Sequence, residues 1–150
     1  MKELKVSTFF YGSYMNPKVL EEVDIIPERF EVARLSGYDI CIQPRANLIR
    51  SEQHCVYGVV AAATHAELTR LYAHSQNVLG ESYAPEPVMV QTNDQKWLPV
   101  LCYISHSMKP CPATDDAYIE RIVQPARDFG FPPWYIQRLE SFRPANHIVM

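Results

Sequence analysis

The stretch Val6-Ser7-Thr8-Phe9-Phe10-Tyr11-Gly12-Ser13, followed by Asn16-Pro17, constrains the fold more than any other part of this chain. Its β-branched and aromatic residues, without sustained polar alternation, predict a buried strand from Val6 to Tyr11. Gly12 and Ser13 allow a sharp bend, and Asn16 before Pro17 is a good N-cap ahead of a first-turn proline. A strand that runs into a small-residue turn and a capped helix leaves several backbone N–H groups without partners. Such amides can face a carboxylate or carbonyl oxygen. The same residues also suit a plain strand-to-helix turn with nothing bound, and local chemistry does not separate the two readings.

At 150 residues, with 47% apolar and 21% charged residues, the chain has the makings of one globular domain over 1–150 with a real core. The net charge of −3 and the scattered basic residues speak against a nucleic-acid groove or an anionic membrane surface. Met1 to Lys5 is polar, so no secretory signal is read, and no stretch approaches the ~20 apolar residues of a membrane span. Cys41, Cys55, Cys102 and Cys111 form no CxxC pair and show no His/Cys ligand spacing, so no metal is expected. Reduced thiols in a cytoplasmic protein are the expectation.

Further along, the pattern predicts strands at Phe30–Leu35 and Tyr38–Ile42, broken by Ser36-Gly37, then a loop from Gln43 to Gln53. His54 to Ala63 reads as an apolar strand in which Gly58 marks a bulge or a close backbone approach. Thr64-His65-Ala66-Glu67 is a capping box that opens a helix to about Ala73. Val88–Gln91 and Leu98–Ile104 form a hairpin closed by Thr92-Asn93-Asp94-Gln95. A helix over Asp115–Phe129 is kinked or split by Pro125, Gly130 stops it, and Pro132-Pro133 introduces a last helix. The tail from about Pro144 is expected to be weakly ordered. Trp97, Tyr103, Trp134 and Tyr135 are read as core, one of them closing a pocket. About six strands with three or four short helices give an α+β fold, a small mixed β-barrel or curled sheet, over a doubly wound parallel sheet.

In this order and spacing the segments resemble the γ-glutamylcyclotransferase superfamily, in its mammalian-type and AIG2-like branch. The resemblance rests on Phe9-Phe10-Tyr11-Gly12-Ser13, Val32-Ala33-Arg34-Leu35 with Tyr38, Val56-Tyr57-Gly58-Val59-Val60, and the helix Thr64 to Leu71. Tyr118, Ile122, Ala126, Gly130-Phe131-Pro132, Tyr135 and Leu139 match its late helices. It implies a barrel with flanking helices and an acyl-transfer cyclisation of a γ-glutamyl small molecule, with no metal or cofactor. The α-amine attacks the side-chain amide carbonyl, giving 5-oxoproline and a released amine. A base must take the ammonium proton and an acid must protonate the leaving nitrogen, roles one carboxyl fills in turn. Tyr11, Gly12, Ser13, Tyr14 and Met15 would hold the substrate through the turn, with Tyr83 beside it.

The essential glutamate that the resemblance implies falls near Ser75, inside Tyr72-Ala73-His74-Ser75-Gln76, where there is no carboxylate. The nearest acid before Tyr83 is Glu81. Six extended residues span up to ~20 Å, so Glu81 reaches the same cavity only if the loop doubles back. His74 is the second candidate, since an imidazole suits proton transfer near neutrality. Three outcomes stand open: a carboxylate moved to Glu81, another base, or a catalytically inactive small-molecule-binding or interaction domain on the same fold. A solvated Glu81 and a helix-terminal His74 are the plain structural alternatives. His54-Cys55 does not make a nucleophile pair, because neighbours on a strand face opposite ways.

Overall fold

The computed structural model describes residues 4–109 and 114–144. Cys111 and the tail beyond Pro144 lie outside the described residues. Strand β1 (Lys5–Phe10) leads into a 3₁₀ turn, Ser13–Met15, and a short helix α1 (Pro17–Glu21). Asn16 caps α1 as its type predicts, its Oδ1 accepting from Lys18 N at 3.0 Å.

The hairpin β2 (Glu31–Ile42) and β3 (Ala46–Thr64) is the largest element of the fold. Two expectations are corrected here. The predicted break at Ser36-Gly37 is a register shift inside one strand, so five strands form rather than six. The predicted loop from Gln43 to Gln53 shrinks to a turn at 43–45, because Ala46–Arg50 pairs with Tyr38–Ile42. In that segment Ala46 and Leu48 face the core, and Asn47 between them faces the other side of the strand.

The Thr64 capping box forms as read: Thr64 Oγ1 accepts from Glu67 N at 3.1 Å and Glu67 Oε1 accepts from Thr64 N at 2.8 Å. It opens helix α2 (His65–His74), which a π-turn at Ser75–Leu79 extends. Strands β4 (Ala84–Thr92) and β5 (Trp97–Ile104) are the predicted hairpin with one arm lengthened. The strand order is β1-β3-β2-β4-β5, and β1 meets β5 in parallel over only two pairs, Thr8 with Leu101 and Phe9 with Cys102. The pairing of β2 with β4 is as short, Ala33 with Thr92 and Arg34 with Gln91. The result is a mixed α+β fold built on a strongly curled five-stranded sheet joined by a short seam.

Helix α3 (Asp116–Asp128) continues through Pro125, which neither splits nor ends it. Proline deprives the carbonyl four residues back of its helical donor. That carbonyl belongs to Arg121, and Asn16 Nδ2 donates to it at 3.2 Å. Asn16 therefore caps one helix and repairs another, fastening the Gly12–Ser13 turn to α3. Helix α4 (Pro133–Glu140) follows, and Tyr135, Ile119, Ile122 and Leu139 are all but fully buried between these helices and the sheet. Trp97 and Trp134, expected in the core, are more than half exposed. Trp134 instead lays its ring edge-on to Tyr57 and Tyr135 at the surface.

Candidate active site

The turn after β1 forms one wall of a cavity of about 40 Å³. The remaining walls are Phe9 and Phe10 of β1, Ala46 of β3, Leu71 of α2, Leu79 of the π-turn, and the tyrosines Tyr83, Tyr103 and Tyr118. Met15 and Asn16 bond back through their amides to Gly12 O and Ser13 O, each at 3.0 Å. Among the described residues the amides of Gly12, Ser13 and Tyr14 have no hydrogen-bond acceptor, and all three residues line the cavity. The approach is close: a Cβ on Gly12 would lie 2.8 Å from that of Ala46.

Ala46 is held from both sides. Tyr83 Oη donates to Ala46 O at 2.6 Å, and Ala46 N donates to Tyr118 Oη at 2.9 Å. Tyr11 Oη donates to Tyr103 O at 2.6 Å. Burial pushes the phenols of Tyr11, Tyr14, Tyr83, Tyr103 and Tyr118 up, so all five are neutral hydroxyls across the working pH range. Arg45 stacks over the Tyr118 ring at 4.7 Å and donates from Nε to Leu79 O at 3.2 Å, tying the π-turn to this wall.

The segment that lacks the expected glutamate has an unusual course. After the π-turn, Gly80 adopts a left-handed conformation (φ +77), which glycine takes without a side-chain penalty. The chain thereby returns on itself: Glu81 N donates to Ser75 O at 3.1 Å. Ser75, 1% exposed, directs its hydroxyl to Tyr72 O at 3.0 Å and to Glu81 O at 3.2 Å. Glu81 consequently stands beside Ser75 rather than six extended residues away. Its charge acts on the cavity wall, since burial first, then Tyr118 and Glu81, raise the Tyr83 phenol. Ser75→Ala is expected to cost about 1 kcal/mol in urea unfolding through the lost hydroxyl bonds. An unchanged midpoint would mean that the Glu81–Ser75 backbone bond closes the loop unaided.

Of the anticipated site residues, Tyr11, Gly12, Ser13, Tyr14 and Tyr83 line the cavity. Met15 is fully buried in the core and does not. Glu81 is half-buried at the loop, outside the lining, and His74 is one hydrogen bond behind it, with Tyr14 Oη 2.8 Å from Nδ1. Reasoning from sequence passed over Tyr118 and Ala46 as site residues. A tyrosine on the buried stripe of α3 was the available signal, since a buried phenol needs a polar partner. Ala46 sat in a stretch read as loop and gave none.

A curled sheet of this order, with a small-residue turn, a returning loop and helix α3 around one cavity and a further helix α4 behind it in sequence, defines a cyclotransferase-type fold. The model of the family "Gamma-glutamyl cyclotransferase, AIG2-like" matches residues 8–121, and the chain belongs to that family. Among solved structures it is similar to a γ-glutamyl cyclotransferase, with 21% identity, TM-score 0.81, and 98% of this chain and 93% of that chain covered. An uncharacterized protein from Homo sapiens is as similar, at 21% identity and TM-score 0.80, covering 97% and 92%. A yeast γ-glutamyl cyclotransferase specific to glutathione shares 13% identity at TM-score 0.62, covering 98% and 100%. At these identities the structural likeness speaks for the fold. No curated protein sequence matches the chain.

Proposed function

We propose that this protein cyclises a γ-glutamyl amine or γ-glutamyl peptide to 5-oxoproline, releasing the amine, with Glu81 as the acid/base. The observation that carries this reading is the return of the chain at Gly80, which sets Glu81 on Ser75, where the family's glutamate is expected. The amides of Gly12, Ser13 and Tyr14 hold the substrate carboxylate or the developing oxyanion, and the phenols around them are neutral and bring no competing charge. Glu81 takes a proton from the α-ammonium, the freed amine attacks the γ-carbonyl, and the same carboxyl returns the proton to the leaving nitrogen. The walls keep the substrate folded, which supplies much of the advantage for a ring closure. Four cysteines without ligand spacing suit a reducing, cytoplasmic setting.

A second reading is binding without turnover, on the same fold. It is favoured by one observation: the cavity lining among the described residues contains no carboxylate. A panel of γ-glutamyl dipeptides and γ-glutamyl amines, assayed for 5-oxoproline and for binding by calorimetry, separates the two. Release of 5-oxoproline from at least one member is expected. Binding with no product across the panel would overturn the enzymatic reading in favour of the second.

A further inference from the structure

Behind the cavity wall, three side chains from three elements line up. Tyr14, in the 3₁₀ turn, lines the cavity, and its Oη lies 2.8 Å from His74 Nδ1 at the end of α2. His74 Nε2 lies 3.6 Å from Glu22 Oε1, just past α1, and the other Glu22 oxygen pairs with Arg121 of α3. The imidazole is nearly enclosed, with 12% of its side chain exposed, while Glu22 is 44% exposed. The row therefore runs from the cavity to solvent.

The tautomer follows from the partners. A carboxylate only accepts, so Glu22 favours the imidazole hydrogen on Nε2. A neutral imidazole carries a single hydrogen, which leaves the Nδ1 lone pair to accept from Tyr14 Oη. Burial holds Tyr14 in its neutral form, as do the fields of Tyr118 and Glu22, while Arg121 opposes them. A phenol of this kind does not store charge but passes a proton through.

From this geometry we infer that Tyr14, His74 and Glu22 form a proton relay that drains the substrate's α-ammonium. The inference rests on the proposed cyclisation and assigns the path of the first proton. One N–H bond of the ammonium breaks as its proton moves to Tyr14 Oη. The phenolic proton moves to His74 Nδ1, leaving a neutral amine, a neutral phenol and an imidazolium facing the Glu22 carboxylate. The relay thus takes the first ammonium proton in place of Glu81, and once the amine has attacked, Glu81 takes the second proton from that nitrogen and returns it to the leaving nitrogen. The groups around the imidazole are Tyr14 from the turn and Glu22 after α1, with Arg121 of α3 paired to Glu22 and Tyr118 acting on Tyr14.

The test uses the full chain with γ-glutamyl-alanine as probe. Tyr14→Phe and His74→Gln are each expected to lower kcat/KM by about 10–100-fold. His74→Gln is also expected to change the pH profile of kcat/KM, because the group that receives the proton is gone. Glu22→Gln, at a side chain 44% exposed, is expected to change that profile in the same assay, because the imidazolium loses its facing anion. A purely structural contact between Tyr14 and His74 would not move the profile. Independently of turnover, nitrogen-15 spectra of His74 are expected to show the imidazole gaining a proton as the probe saturates wild type, and not in Tyr14→Phe. Turnover and profile indifferent to all three changes would overturn the relay and leave the cyclisation standing. Protonation of His74 by bound probe without 5-oxoproline would sustain the relay and overturn the cyclisation. Absence of both product and protonation overturns both.

Discussion

Exchange of Glu81 for glutamine is expected to cut 5-oxoproline release by about 10²–10⁴-fold, the usual worth of a positioned proton-transfer group. Binding of a γ-glutamyl dipeptide should change little, because glutamine keeps the shape of the side chain and the donor turn is untouched. Folding should also survive. Among the described residues the Glu81 carboxylate takes part in no hydrogen bond or ion pair, and the loop is closed by backbone and by Ser75 Oγ. The effect should therefore fall on kcat rather than on KM or stability, which distinguishes a lost reacting group from a lost contact. Glu81→Asp should retain part of the rate, since the carboxylate remains but is withdrawn by one methylene. Rapid-quench measurement of 5-oxoproline beside calorimetric binding gives both quantities. Full activity in Glu81→Gln would remove this residue from the chemistry.

What the sequence made legible follows local rules closely. The Thr64–Glu67 capping box, the Asn16 cap and the β4–β5 hairpin are each set by a few neighbouring side chains, and each formed where expected. The misreadings occurred where a distant partner decides. Gly37 looked like a strand break, yet β3 pairs with both halves of β2 and carries the strand across it. Pro125 looked like a kink or a split because its cost is local, whereas the Asn16 amide that serves the freed Arg121 O comes from 105 residues before Arg121 in sequence. Trp97 and Trp134 looked like core from composition, but burial depends on which face the sheet covers.

The candidate site divides the same way. The Tyr11–Tyr14 wall was legible, because turn chemistry is written in adjacent residues. The lining role of Tyr118 and Ala46 was not, because it depends on α3 packing against the turn through contacts far apart in sequence. The return at Gly80 lies between these cases. Gly80 was visible, but a π-turn before it was not, and only that turn brings Glu81 N within bonding distance of Ser75 O.

A methyl group at position 58 is expected to destabilise the protein by about 1–3 kcal/mol, and a valine there by more. A Cβ on Gly58 would stand 2.4 Å from the carbonyl oxygen of Phe10 and 2.7 and 2.8 Å from two ring carbons of Phe9. The first obstacle is backbone and cannot rotate away. The second is a ring only 1% exposed, enclosed in the core, so it has nowhere to go. Relief must come from moving β1 off β3, against the six-pair ladder from Lys5–Thr64 to Phe10–Val59. At about 2–4 °C per kcal/mol for a chain of this size, Gly58→Ala should lower the thermal midpoint by roughly 3–10 °C. Any such shift of β1 is carried into Tyr11 and Gly12, the next residues along, so activity should fall further than the unfolded fraction accounts for. Calorimetric scans with parallel activity measurements at 25 °C test both parts. An unchanged midpoint would show that β1 and β3 separate at no cost, and that the close approach at Gly58 does not hold the site turn in place.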